Sequence, residues 1–95
     1  MGFKIILAPE AVRDLRKLRA DLRTGIRDAI ERHLRHQPTK TSKVRIKRLR
    51  GVSRPQFRLR VGDIRVFYDV VGTEVHILAV VSKEQAEKWL RGVGE

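Results

Sequence analysis

The chain has 95 residues, enough for one domain with a single core. It has no cysteine, which removes disulfide frameworks and thiolate metal sites and suits a reducing cytoplasm. Lys and Arg outnumber Asp and Glu 22 to 11, a net charge of +11 that points to a polyanionic or acidic partner.

Phe3 to Leu7 reads as a short strand that stops before Pro9. It is too short for a secretory signal, and no apolar run in the chain is long enough to cross a membrane. Pro9 suits the first position of a helix, with Glu10 in its first turn, although Ala8 is a poor N-cap. Ala11, Val12, Leu15 and Leu18 give that helix an apolar stripe, opposite Arg13, Arg16, Lys17 and Arg19. Asp21 is placed to cap a second helix with Leu22, Ile26, Ala29, Ile30, His33 and Leu34 on its apolar side. Asp28/Arg32 and Glu31/Arg35 have the favourable i,i+4 order, and Gln37-Pro38-Thr39 ends the helix. The two helices form a hairpin suited to covering one face of a sheet.

A polar loop follows from Thr39 to Lys43. Then Val44, Ile46 and Leu49 alternate with Arg45, Lys47, Arg48 and Arg50 as in an edge strand, where cations also discourage sheet-to-sheet association. The strongest local signal comes next. In Phe57 to Val71, two runs rich in β-branched and aromatic residues flank Gly62-Asp63, a tight-turn dipeptide. A two-residue turn there puts Leu59, Val61, Ile64, Val66, Tyr68 and Val70 on one face. Arg58, Arg60, Arg65, Phe67 and Asp69 fall on the other. Arg60 then lies directly across from Arg65, a destabilising arrangement unless an anion is to be bound.

Gly72-Thr73 predicts a second turn into a strand from Glu74 to Val81. A two-residue loop sets Asp69 against His76, Phe67 against Leu78 and Arg65 against Val80, so Phe67, Leu78 and Val80 become an apolar floor beside the arginines. Either the C-terminal helix or a partner is expected to cover that floor. Ser82-Lys-Glu-Gln85 reads as a capping box for a final helix running to about Arg91 and ended by Gly92. His33 and His36 lack a third ligand in register, so no metal site is expected. Asp69/His76 is read as an ordinary ion pair, and no phosphate-cradling glycine loop or nucleophile motif is present.

Three segments, Pro9-Glu-Ala-Val-Arg-Asp-Leu-Arg-Lys-Leu18, Lys47-Arg-Leu-Arg-Gly51 and Phe57-Arg-Leu-Arg-Val-Gly-Asp-Ile-Arg-Val-Phe-Tyr68, carry a resemblance to the RelE/ParE superfamily of toxins from bacterial type II toxin–antitoxin systems. The resemblance covers nearly the whole chain. It implies one α+β domain spanning residues 1–95, with an N-terminal strand, a helical hairpin packed on a twisted antiparallel sheet, and a short C-terminal helix at the edge. It also implies a cytoplasmic protein that needs no cofactor or metal and is neutralised by a cognate antitoxin docking on Phe67, Leu78 and Val80.

The leading expectation is the activity of the RelE branch, a ribosome-dependent endoribonuclease that cuts mRNA through attack by the ribose 2′-OH. The matching catalytic positions are Arg58, Arg60, Arg65 and Lys83, with Lys47, Arg50 and Trp89 expected to contact substrate. The family's ribonucleases usually carry Lys where Arg58 and Arg60 stand, Arg where Lys83 stands, and Tyr where Trp89 stands; Arg65 matches outright. In the ParE branch the implied activity is poisoning of DNA gyrase without any cleavage by the toxin, and a non-toxic relative that keeps only antitoxin binding is a third possibility.

Overall fold

Gly62 adopts φ 58° and Asp63 keeps a negative φ, so the turn between the central strands needs glycine only at its first position. Around it the computed structural model, which describes residues 2–94, arranges eight elements. These are β1 (Lys4–Leu7), α1 (Pro9–Arg16), α2 (Ala20–Leu34), β2 (Ile46–Arg48), β3 (Phe57–Val61), β4 (Ile64–Val71), β5 (Glu74–Ser82) and α3 (Lys83–Gly94). The strands form one five-stranded sheet in the order β1-β5-β4-β3-β2. β3 and β4 pair in the expected register, with Arg60 opposite Arg65 and Leu59 opposite Val66.

The sheet is mixed where an antiparallel one was expected, because β1 pairs with β5 in parallel, Ile5 opposite Val75. A parallel neighbour requires a long crossover, and the chain between β1 and β5 includes the helical hairpin that covers one face. α1 starts at Pro9 with no side-chain cap at Ala8. α2 starts two residues earlier than expected. Arg19 occupies its N-cap position, and Asp21 lies inside the first turn, paired with Arg19 at 3.1 Å. Of the two i,i+4 pairs, Glu31 accepts a bond from Arg35 Nε at 2.9 Å.

The core lies between the helical hairpin and one face of the sheet. Ala11 and Leu15 of α1 and Ile26, Ile30 and Leu34 of α2 meet Leu59, Val66, Tyr68, Val75 and Ile77. Tyr68 is fully buried, stacks on Phe57 at 5.4 Å, and donates its hydroxyl to Pro38 O at 2.7 Å. That bond satisfies a buried hydroxyl and fixes the turn after α2 to the sheet. Burial pushes the Tyr68 phenol above its ordinary value.

The register between β4 and β5 departs from expectation. Asp69 does face His76, but a bulge follows: Tyr68 pairs with Ile77 and Phe67 with Ala79, leaving Leu78 as the extra residue. Beyond the bulge every side chain of β5 changes face relative to the simple ladder. Val80 therefore opposes Val66 and joins the helix-side core, while Val81 opposes Arg65. The Val80 N–H donates to Asp14 Oδ2 of α1 at 2.8 Å, so a helix side chain supplies an acceptor next to the irregular ladder.

Candidate functional site

The face of the sheet away from α1 and α2 divides into a covered part and an open part. On the covered part Phe67 is fully buried, and Trp89 of α3 stacks on it at 4.9 Å and 6° between ring planes. The Trp89 indole N–H donates to the Glu10 carboxylate at the start of α1, which holds α3 down at a second point. Trp89 thus serves as the cover over Phe67, where sequence reasoning placed it on substrate. The floor expected from Phe67, Leu78 and Val80 is corrected in the same way. Phe67 is already covered by α3, Val80 faces the helices, and only Leu78 keeps partial exposure.

The open part holds the arginines. Because opposed residues share a face, Lys47, Arg58 and Phe67 form one row across β2, β3 and β4, and Arg60 and Arg65 form the next. Arg65 is only 7% exposed, and its Nη1 donates to Gly62 O at 2.9 Å and Ile64 O at 3.1 Å. The guanidinium is therefore folded against the turn. Arg58 donates Nη2 to Val44 O at 3.1 Å, while its Nε is buried with no acceptor among the described residues. Burial, then Arg65, then Arg60 draw the Arg58 pKa downward, as expected where like charges converge. Among the described residues none of these three arginines forms an ion pair with a carboxylate, so the cluster carries uncompensated positive charge.

Lys83 joins this end of the sheet: its N–H donates to Asp63 O at 2.7 Å, and the preceding Ser82 closes β5 opposite Ile64. α3 then continues through Gly92 instead of ending there. Arg50 is set apart from the cluster. It lines, with Lys47, Arg48 and Ser42, a groove of about 440 Å³ along the outer edge of β2.

Asp69 and His76 share the face without pairing. The Asp69 carboxylate accepts the Gln56 N–H at 2.7 Å and Arg54 Nε at 3.2 Å, and His76 Nε2 meets Glu74 at 2.9 Å. Arg54 is thereby held over the open face, a cation that sequence reasoning missed. A single carboxylate inside an apolar strand was the signal available, since a buried Asp needs partners. Among the described residues no group of three His, Cys, Asp or Glu side chains is placed to hold a metal ion. No helix among the described residues is long and apolar enough to cross a membrane.

The fold is shared with solved toxin structures. A RelBE toxin–antitoxin complex from Mycobacterium tuberculosis aligns with 24% identity and a TM-score of 0.69, covering 86% of this chain and 99% of the other. A RelE–RelB complex from Pyrococcus horikoshii aligns with 24% identity and a TM-score of 0.65, covering 87% and 97%. A doubly substituted RelE toxin from E. coli in its free state aligns with 18% identity and a TM-score of 0.63, covering 99% and 95%. No curated protein sequence matches. Residues 5–87 match the family model described as ParE toxin of type II toxin–antitoxin system, parDE. Strand order, arginine-bearing hairpin and family match agree: the chain belongs to the ParE toxin family, within the RelE/ParE superfamily of type II toxins.

Proposed function

We propose that this toxin acts by binding, in the manner of the ParE branch, with DNA gyrase as its target and no bond cleaved by the toxin. The observation that carries this reading is the make-up of the open face. It gathers Arg58, Arg60 and Arg65 without an ion-pair partner among the described residues. Guanidinium groups supply charge and directed N–H donors but do not exchange protons at ordinary pH. The imidazole on this face, His76, pairs opposite Asp69, four residues along β4 from Arg65, and is bonded to Glu74. Trp89, which stands where the family's ribonucleases carry Tyr, has no acidic hydroxyl and is packed on Phe67.

A second reading is favoured by one feature, the proximity of Arg58, Arg60 and Arg65. A ribosome-dependent endoribonuclease whose substrate supplies its own 2′-OH nucleophile needs, above all, positive charge where the transition state becomes more anionic. Arg65 would stabilise that charge, Arg58 and Arg60 would hold the flanking phosphates, and Lys83 would assist. On either reading a cognate antitoxin is the natural partner, as in the solved RelE–RelB complexes, and an acidic segment of it would complement the arginine cluster.

One experiment separates the readings. Purified toxin is added to a gyrase supercoiling assay and, in parallel, to translating ribosomes with a defined mRNA. Inhibited supercoiling with intact mRNA, the inhibition being abolished by added antitoxin, is the expected result. Cleaved mRNA with unaffected gyrase, lost in Arg65→Ala, would replace binding with catalysis.

A further inference from the structure

A second concave site lies outside the arginine face, between the end of α2 and the loop that leads into β2. It encloses about 340 Å³, and its lining includes Arg32, His33, His36, Lys40, Ser42 and Arg45 but no carboxylate. Arg32, Lys40 and Arg45 therefore bring fixed positive charge to one hollow with no acid to offset it. A solvated surface separates such charges, and their concentration in a concavity raises the local attraction for anions.

Both walls are held in place. Ser42 Oγ accepts the N–H of Arg45 at 2.9 Å and of Ile46 at 3.2 Å, and the Ser42 N–H donates to Ile46 O at 2.9 Å. This fixes the backbone that carries Arg45. The opposite wall is the 37–40 turn, where Lys40 N–H donates to Gln37 O at 3.2 Å and the buried Tyr68 hydroxyl grips Pro38 O at 2.7 Å. His33 lies half-buried between them. Burial, then Arg45, then Arg32 lower its pKa, in keeping with its place between the two in the lining.

The geometry points to a phosphate-binding pocket built from Arg32, Lys40 and Arg45, with the His33 and His36 rings and the Ser42 loop as its frame, distinct from the arginine face. Its ligand is a phosphate group, either the terminal phosphate of a free nucleotide or a phosphodiester of a nucleic-acid strand. The β2–β3 ladder separates the two sites: Arg60 N–H donates to Arg45 O at 2.8 Å, and Arg58 reaches Val44 O from the other side. A strand bound at the arginines has a second cationic site one β-strand away. The pocket is independent of whether gyrase or the ribosome is the target.

The test is an NMR titration of the full chain with inorganic pyrophosphate in one arm and a single-stranded RNA hexamer lacking terminal phosphates in the other. Amide signals of residues 32–46 are expected to shift, and both Arg45→Ala and Lys40→Ala to weaken binding about tenfold, the loss of one charge-assisted contact. Arg16→Ala, an exposed α1 residue outside both clusters, leaves this binding unchanged, and Arg45→Lys restores part of it. Pyrophosphate shifts alone assign a terminal-phosphate site; hexamer shifts with the same variant dependence assign a strand site. Shifts confined to Arg58, Arg60 and Arg65 in both arms, or an Arg45→Ala protein that folds and binds as tightly as wild type, would overturn the proposal.

Discussion

The two faces of this sheet obey different rules. The helix side is closed, with Leu59, Val66, Tyr68, Val75 and Ile77 all fully buried and the one hydroxyl among them bonded to Pro38. The other side is closed where Trp89 lies on Phe67, and it buries Arg65 and Asp69 as well, yet it leaves Arg58 with a buried Nε lacking an acceptor among the described residues. A face built for stability satisfies its polar atoms. The opposite face leaves like charges adjacent and unpaired, and that cost is expected where a partner completes the site.

Removing the cover gives the largest change. Trp89→Ala loses the ring that stacks on Phe67 and the bond to Glu10, and is expected to lower stability by about 2 kcal/mol, less than for a fully buried ring because Trp89 stays partly exposed. Hydrogen exchange should show α3 opening while α2 stays protected. Unchanged exchange in α3 would mean that the helix is held by something other than this stack, and the division of the open face would need redrawing.

Tyr68→Phe probes the closed face. It leaves the Pro38 carbonyl without its donor, and a loss of about 1 kcal/mol is expected from chemical denaturation at neutral pH. The pH dependence has a definite sign. The phenol titrates near about 10 in the unfolded chain, and burial raises it in the folded one. Its contribution is complete below the unfolded value and is lost as pH rises beyond that value, because the unfolded state then releases a proton that the folded state keeps. The gap between wild type and Tyr68→Phe should therefore shrink above about pH 10. A gap that widens there would show that Tyr68 ionises more easily in the fold than in water.

The closed face was legible because alternation along a strand depends only on neighbouring residues. Leu59, Val66 and Tyr68 could be assigned once Gly62-Asp63 was taken as the turn, and the Arg60–Arg65 pairing came from the same count. The count failed at Leu78. Ile77, Leu78 and Ala79 are all apolar, so nothing local marks which of them is extra, and the acceptor for the Val80 N–H is Asp14, 66 residues away. The packing of Trp89 was missed for the same reason, since its partner Glu10 lies 79 residues off. Asp69 against His76 was the correct register but the wrong chemistry. Arg54 and Gln56 reach the carboxylate from a loop whose path alternation does not describe.

The smallest expected effect is the most informative about the open face. Arg60 is exposed, lies opposite Arg65, and helps lower the Arg58 pKa. Arg60→Ala removes one member of a repelling group together with an exposed stem, so stability should change by no more than about 0.5 kcal/mol. Added salt should narrow even that difference, because it screens the same repulsion in wild type. Inhibition of the target should nonetheless weaken, and weaken more at low ionic strength, where steering by the cluster is strongest. A residue that matters to the fold would show the reverse pattern, with lost stability and unchanged potency. If Arg60→Ala left both untouched, the convergence of guanidinium groups on this side of the sheet would be ordinary surface charge, and the contrast with the closed face would carry no functional meaning.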